Sequence, residues 1–344
     1  VQNEASVTES AGDVATLIRR VPGVRVWRHA PLAPFTTIGC GGKAGVLVTC
    51  DEPRAVCRVL ELVRLSGGAF EFLGSGSNLL VADQGYAGVV IKLADSFQYV
   101  SHPEGETFSD ACKDPGGAEI SPTGDGMSVV LEAGGALSLP RLAVYAAENG
   151  LSGLEFACGI PGSVGGATLM NAGAHGGQLS DLLLSVQVAS ADGLEWVSAG
   201  RICFGYRCSG LPAGACVTAV RLVLTASDTQ EVLAAHRANL KKRRLSQPRG
   251  ARTFGSAFKN PSGDAAGRLL DQAGVKGMSR GGACVSSVHA NFVVNTGDAT
   301  TADVLHLMTM MRETVQRVHG VVLEPEVKVW GTDFPWRQES GHEG

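Results

Sequence analysis

Residues 254–261 read Phe-Gly-Ser-Ala-Phe-Lys-Asn-Pro and set a hydroxyl, an ammonium and an amide close together, at Ser256, Lys259 and Asn260. A serine nucleophile needs a base beside it and a third group that orients the base, and no such hydrolase pattern accompanies this segment. Ser256 is therefore read as a proton donor rather than a nucleophile.

Two glycine-rich loops lie upstream. In the first, residues 74–83, Gly74, Ser75, Gly76, Ser77, Asn78 and Leu79 offer successive backbone N–H groups and two small hydroxyls, the make-up of a nest for pyrophosphate. An isolated Gly-x-Gly is more often an ordinary turn. The second loop changes that weighting: Gly159, Ile160, Pro161, Gly162, Ser163, Gly165, Gly166 and Ala167 lead on to Asn171 and Gly173 without a Walker lysine. Two such stretches of close-approach backbone imply a large dinucleotide ligand. The segment Gly39-Cys-Gly-Gly-Lys-Ala44 loosely satisfies a Rossmann fingerprint but fails on context. Pro31 and Pro34 interrupt the strand that should precede it, and 46–50 reads as a strand where the helix should follow.

The elements that must position these residues follow from periodicity. Strands are expected at 69–73, 88–93, 127–133 and 217–225, a helix at 139–149 ended by Gly150, and a helix at 229–246 with Val232, Leu233, His236 and Leu240 on one side. Beyond them come a short helix at 264–273, a strand pair within 283–295, and a long amphipathic helix from Thr301 whose Val304, Leu307, Met308, Met311, Val315 and Val318 keep helical spacing. Its methionines are core filler. Residues 321–330 alternate like a strand, and 102–126, dense in Pro, Gly, Asp and Ser, reads as an exposed insertion at a hairpin tip.

At 344 residues with 44% hydrophobic side chains, the chain has material for two or three packed units. No run approaches the roughly 20 apolar residues that span a bilayer, and residues 1–12, with Glu4 and Glu9, lack the pattern of a secretory signal. The nine cysteines are scattered without a Cys-x-x-Cys pair, which favours a reduced cytoplasmic protein and gives no reason to expect a metal site. The net charge of -4 is small, and the basic run Lys241, Lys242, Arg243 and Arg244 has no interleaved aromatics, so it is read as a solvated helix end and not as a nucleic-acid contact.

The two loops, Gly205-Tyr-Arg-Cys-Ser209, the 254–261 segment, Ala266-Gly-Arg-Leu-Leu-Asp271, Gly274-Val-Lys-Gly277, His289-Ala-Asn-Phe-Val-Val-Asn295 and Leu323-Glu-Pro-Glu-Val327 together resemble, in order, the UDP-N-acetylenolpyruvoylglucosamine reductases of bacterial cell-wall synthesis. The chain is similar to their shorter subtype, since no long insertion separates Asn260 from the 264–273 helix. Lys43, where the family commonly has proline, and Gly39, where arginine is frequent, depart from the pattern.

The resemblance implies an α+β fold, with a two-part FAD-binding region of the vanillyl-alcohol-oxidase type followed by a smaller α+β substrate-binding domain. The expected division is 1–30 as an N-terminal helical extension, 31–228 as the FAD-binding region with the 102–126 insertion, 229–320 as the substrate domain, and 321–344 as a strand returning to the active site plus a polar tail. It also implies bound FAD, with NADPH as co-substrate, and a monomer that reduces the enolpyruvyl ether of UDP-N-acetylglucosamine to UDP-N-acetylmuramate. Hydride would go from FAD to the terminal vinyl carbon.

By the same resemblance Arg207 would hold the substrate carboxylate near the flavin, Glu326 would assist the developing enolate, and Ser256 would protonate the adjacent carbon. Lys259, Asn260, Lys276 and His289 would contact the UDP-sugar, although His289 is equally read as a satisfied core histidine. A carbohydrate oxidase sharing the flavin domain and a silent nucleotide-sugar binding protein are the rival readings, which the 255–261 and 323–327 matches and the retention of Arg207, Ser256 and Glu326 disfavour.

Overall fold

A computed structural model describes residues 14–103 and 127–336. The expectation of an exposed insertion at 102–126 therefore falls almost wholly outside the described residues. The chain divides into two compact units, the first from 14–27, 47–75 and the described part of 89–243, the second from 28–46, 76–88 and 244–336. This division differs from the boundary expected near residue 228, because the helix Thr229–Ser246 stays with the first unit as far as Arg243. Of the expected helical extension over 1–30, residues 14–18 are helical and Val24–Arg28 is an edge strand, while 1–13 lie outside the described residues.

The first unit is organised by the strand Cys216–Ala226. Its burial is almost continuous because it is central in an antiparallel sheet, paired on one side with Leu183–Ser190 and on the other with Ser128–Gly134. A strand covered on both edges and faces can be apolar at nearly every position. Gly193–Ser198 extends the sheet as a hairpin partner of Leu183–Ser190. The helix Leu139–Glu148 packs Leu139, Leu142, Ala143 and Ala146 into the same core and stops where Gly150 takes φ +64°. A second helix, Pro53–Leu65, starts with its proline in the first turn and buries Val56, Val59, Leu60 and Val63 at helical spacing.

In the second unit the long helix Thr301–His319 carries the core. Thr300 and Asp303 form a reciprocal capping box, Gly320 closes the far end at φ +69°, and the Asp83 carboxylate accepts from the Thr301 and Ala302 N–H groups at 2.8 and 3.0 Å. The Thr300 hydrogen bonds hold the Asp303 carboxyl below its ordinary range. Val304, Leu307, Met308, Met311 and Val315 are buried as expected, but Val318 is half exposed because the last turn runs past the core. Around the helix lie the strands Ala283–Val285 and Val293–Asn295 and the helix Ala266–Gln272.

The strand expected over 321–330 is shorter. Only Lys328–Trp330 is regular, pairing in parallel with Leu79–Val81. Before it the chain makes single contacts with the serine segment: Pro325, which has no N–H to donate, forms an isolated bridge with Phe258, and the Glu324 carbonyl accepts from the Lys259 N–H at 2.9 Å.

One buried group makes the fold sensitive to pH. His236 on the helix Thr229–Ser246 is buried, and its Nδ1 has no hydrogen-bond partner among the described residues. Desolvation lowers its pKa, and Arg237 adds to that while Glu155 and Glu148 oppose it. The unfolded chain therefore binds a proton that the folded chain refuses once the pH drops below about 6.5, so stability falls with pH in that window. Urea midpoints measured from about pH 7.5 down to 5.5 should decline, and His236→Leu should flatten that slope. An unchanged slope in the variant would assign the pH dependence to other groups.

Candidate active site

In the first unit the start of the first glycine-rich loop, Gly74 and Ser75, meets the second loop. A Cβ on Gly74 would lie 2.7 Å from the Ser163 Oγ, and one on Gly165 would lie 2.8 Å from the Val217 carbonyl oxygen. At Gly165, where the neighbour is backbone, only glycine permits the approach. The second loop is stitched to the turn after Ser128–Gly134 by backbone bonds from Leu139 to Gly162, from Val164 to Leu137 and from Gly165 to Gly135, at 2.8 to 2.9 Å. Ser163 accepts from the Gly166 N–H at 3.3 Å and is itself buried.

Together these segments line a cleft with about 540 Å³ of empty space, its opening to solvent included. Its walls are Leu73, Gly74, Ser75, Lys92, Leu93, Gly135, Ala136, Ser163, Gly165, Gly166, Leu169, Cys216 and Val217. Of the residues expected to hold the cofactor, Gly74, Ser75, Ser163, Gly165 and Gly166 line this cleft. Gly76, Ser77, Asn78 and Leu79 belong to the second unit. Lys92, Gly135 and Cys216 were not singled out from sequence, since a single lysine at the end of an apolar strand carries no motif. Burial lowers the Lys92 pKa while Asp95 opposes the shift. The cleft pairs apolar walls with glycine backbone, two small hydroxyls and one ammonium, a donor set that fits a dinucleotide with its pyrophosphate.

Arg207 sits in a two-residue turn closed by reciprocal Gly205 and Cys208 backbone bonds of 3.1 and 3.3 Å. Its φ of +58° is left-handed, unusual for a residue other than glycine and tolerated only where the surroundings over-determine it. Those surroundings are visible. The Asn171 side chain, buried, donates to the Gly205 carbonyl at 3.2 Å and accepts from the Ser180 N–H at 3.0 Å, while Arg207 Nη2 donates to Gly173 O at 3.2 Å. The tail of the second loop thus fixes the arginine turn.

The basic run is not uniformly solvated. Lys241, Lys242 and Arg244 are exposed, but the Arg243 stem packs where a Gly159 Cβ would point, with Cδ 3.1 Å from that position. Burial lowers the Arg243 pKa, with the Cys158 thiol opposing and Arg207 adding to the shift.

In the second unit Ser256 is held between two anchors. Phe254 and Phe258 are 1% and 0% exposed, each contributing about 2–3 kcal/mol of apolar burial. Asn291, buried, accepts from the Phe258 N–H at 2.9 Å and donates to the Phe258 carbonyl at 2.8 Å, and its own carbonyl takes the Ala257 N–H at 2.8 Å. The Glu326 N–H donates to the Ala257 carbonyl at 2.9 Å, so the structure brings Ser256 and Glu326 onto adjoining backbone.

Lys259 lies 3.4 Å from the Glu324 carboxylate, an exposed pair worth less than about 1 kcal/mol and easily exchanged for a ligand. The Asn260 Oδ1 accepts from the Ala266 N–H at 3.0 Å, fastening the start of that helix. Lys276 pairs with Asp271 at 2.8 Å. His289 accepts through Nδ1 from the Asn291 N–H at 3.2 Å and packs edge-on against Phe292, which leaves the proton of the neutral ring on Nε2. Burial lowers its pKa, Lys276 adds to that and Asp271 opposes it, so His289 and Lys276 are neighbours. Among the described residues no cluster of His, Cys, Asp and Glu could hold a metal ion, and no helix is long and apolar enough to cross a membrane.

Comparison with known proteins agrees with this layout. Residues 44–198 match the FAD binding domain family, and residues 247–330 match the family described as UDP-N-acetylenolpyruvoylglucosamine reductase, C-terminal domain. The chain is 42% identical over 321 residues to UDP-N-acetylenolpyruvoylglucosamine reductase 2 of Symbiobacterium thermophilum, covering 93% of this chain and 96% of the relative. It is 43% identical over 317 residues to the reductase of Anaeromyxobacter sp. (strain Fw109-5), covering 92% of each. The crystal structure of the Thermus caldophilus reductase superimposes with a TM-score of 0.72 at 36% identity, over 89% of this chain and 99% of that one.

The fold and cleft are those of an FAD-dependent oxidoreductase, an α+β protein whose FAD-binding region of the vanillyl-alcohol-oxidase type is followed by a smaller α+β domain. The chain belongs to the UDP-N-acetylenolpyruvoylglucosamine reductase family.

The cleft geometry makes one consequence measurable. Gly165→Ala would press a methyl group against the Val217 and Gly135 carbonyls, 2.8 and 3.1 Å away, and push the second loop off its seat. The purified variant should carry substantially less FAD than wild type, read from the ratio of flavin to protein absorbance. Full flavin content would show that the loop can shift without disturbing the cleft.

Proposed function

We propose that this protein reduces the enolpyruvyl ether of UDP-N-acetylglucosamine to UDP-N-acetylmuramate with electrons from NADPH, in the cytoplasm, as a step in making peptidoglycan precursors. The observation that carries this reading is the backbone bond from Glu326 to Ala257, which holds the carboxyl-bearing residue beside the serine segment. Family membership supplies the substrate class.

When bound, FAD supplies the hydride, which ends on the terminal vinyl carbon and turns CH₂= into CH₃. The electron pair of the double bond passes to the adjacent carbon and its carboxylate, and one proton there completes the lactyl ether. Arg207 suits the carboxylate because its planar fork can give two parallel hydrogen bonds, and its turn fixes the direction of that fork before substrate arrives. Ser256 donates the proton to the carbanionic carbon, an acceptor basic enough to take it from a hydroxyl while the enolate lasts. Glu326 stabilises the developing enolate or relays a proton. Lys259, Asn260, Lys276 and His289 bind the UDP-sugar, the lysines as point charges for its phosphates.

The two half-reactions ask different things of these residues. Ser256→Ala should leave flavin reduction by NADPH near wild type and slow reoxidation by the enolpyruvyl sugar at least about a hundredfold, the lower range for a lost general acid. Stopped-flow flavin absorbance reads both steps, and reoxidation at the normal rate would move proton donation away from Ser256. Arg207→Lys keeps the charge and loses the fork, so turnover should fall strongly while sugar binding falls much less. Equal losses would place Arg207 in ground-state binding.

A further inference from the structure

Asn78 lies in the middle of the first glycine-rich loop, where its neighbours suggest a side chain directed at a phosphate. The structure engages it elsewhere. Its Nδ2 donates to the backbone carbonyl of Glu326 at 3.1 Å, and its own carbonyl accepts from the Lys328 N–H at 3.1 Å. The Glu326 N–H, in turn, donates to Ala257, the residue after Ser256. The peptide groups of Glu326 are therefore held on one side by the serine segment and on the other by Asn78.

This bond occupies a place where regular structure is missing. The ladder between the C-terminal segment and Leu79–Val81 begins only at Lys328, because the Glu326 N–H that would form the preceding rung donates to Ala257 instead. An amide side chain substitutes for the absent rung, and it does so at the residue whose direction matters. Fixing both the N–H and the C=O of a residue fixes its backbone dihedrals, hence the Cα–Cβ vector, and leaves only side-chain rotamers free. A proton-transfer geometry is sensitive to such fixing, since misplacement by about 1 Å can cost on the order of a hundredfold in rate.

We infer that Asn78 is a positioning residue for the reduction: through the Glu326 carbonyl it sets where Glu326 presents its carboxyl group relative to Ser256, and this, more than cofactor contact, is its task. The inference rests on the roles given to Glu326 and Ser256 above.

The test uses holoenzyme carrying Asn78→Ala or Asn78→Asp, each alone and combined with Glu326→Gln. Asn78→Asp keeps the size of the side chain but replaces the donor with a carboxylate oxygen that repels the Glu326 carbonyl, so it serves if the alanine variant folds poorly. Enzyme reduced with dithionite without oxygen is mixed with the enolpyruvyl UDP-sugar, and the return of flavin absorbance is followed.

The expected result is wild-type flavin content, a limiting reoxidation rate reduced about tenfold, the effect of one ordinary hydrogen bond, and an unchanged sugar concentration at half-maximal rate. On the Glu326→Gln background neither substitution should cause a further loss, because both act through the same residue. Loss of bound flavin, or losses that multiply in the double variant, would make Asn78 a cofactor ligand or an independent contributor and overturn the inference. If Glu326→Gln alone reoxidises at full rate, the role of Glu326 fails and the inference with it. A crippled Glu326→Gln enzyme beside a full-rate Asn78→Asp enzyme sinks the positioning role by itself.

Discussion

Backbone running against backbone, with no space for a side chain between, is the constraint on which both units depend. In the first unit it seats the second loop, with Gly165 against the Val217 and Gly135 carbonyls. In the second it lets the 76–88 segment settle against residues 35–36: a Cβ on Gly76 would stand 1.9 Å from the Phe35 carbonyl oxygen, at a φ of +61° that itself disfavours any other residue. Such contacts leave many peptide groups near a ligand and few side chains in the way. That suits a cofactor recognised largely through phosphates and ring edges.

Irregular backbone of this kind has a cost, because peptide groups outside helices and ladders still need partners. Asparagine supplies several of them. Asn171 holds the arginine turn, Asn291 clasps both polar groups of Phe258, Asn295 donates to the Ile38 carbonyl at 2.9 Å, and Asn78 takes the Glu326 carbonyl. A short amide with one donor end and one acceptor end can mimic a peptide group where the chain cannot provide one. The same residues that satisfy the backbone also fix the groups proposed to do chemistry, so removing one is expected to disturb geometry before it disturbs folding.

Much of the local structure was legible from periodicity. The helix Thr229–Ser246, the helix beginning at Thr301 and the strand Cys216–Ala226 stand essentially where the spacing of their apolar residues put them, since helical and strand periods are local properties. The expectation failed where tertiary context takes over. Residues 321–327 alternate like a strand yet make only single backbone bonds and one isolated bridge to 257–259 before the ladder at Lys328, Val318 keeps helical spacing but passes the end of the core, and Arg243 belongs to a basic run yet packs on Gly159.

The sequence by itself determined which chemical groups are present and at what local spacing: a hydroxyl, lysine and amide in one short segment, an arginine after Gly-Tyr, and two loops rich in glycine. These follow from residue type and from contacts a few residues apart. Only the tertiary structure decided that Asn78 bonds Glu326 across 248 residues and that Asn171 bonds Gly205 across 34. Pairings at that separation leave no periodic trace, because they depend on how the whole chain closes on itself and not on the order of neighbouring side chains.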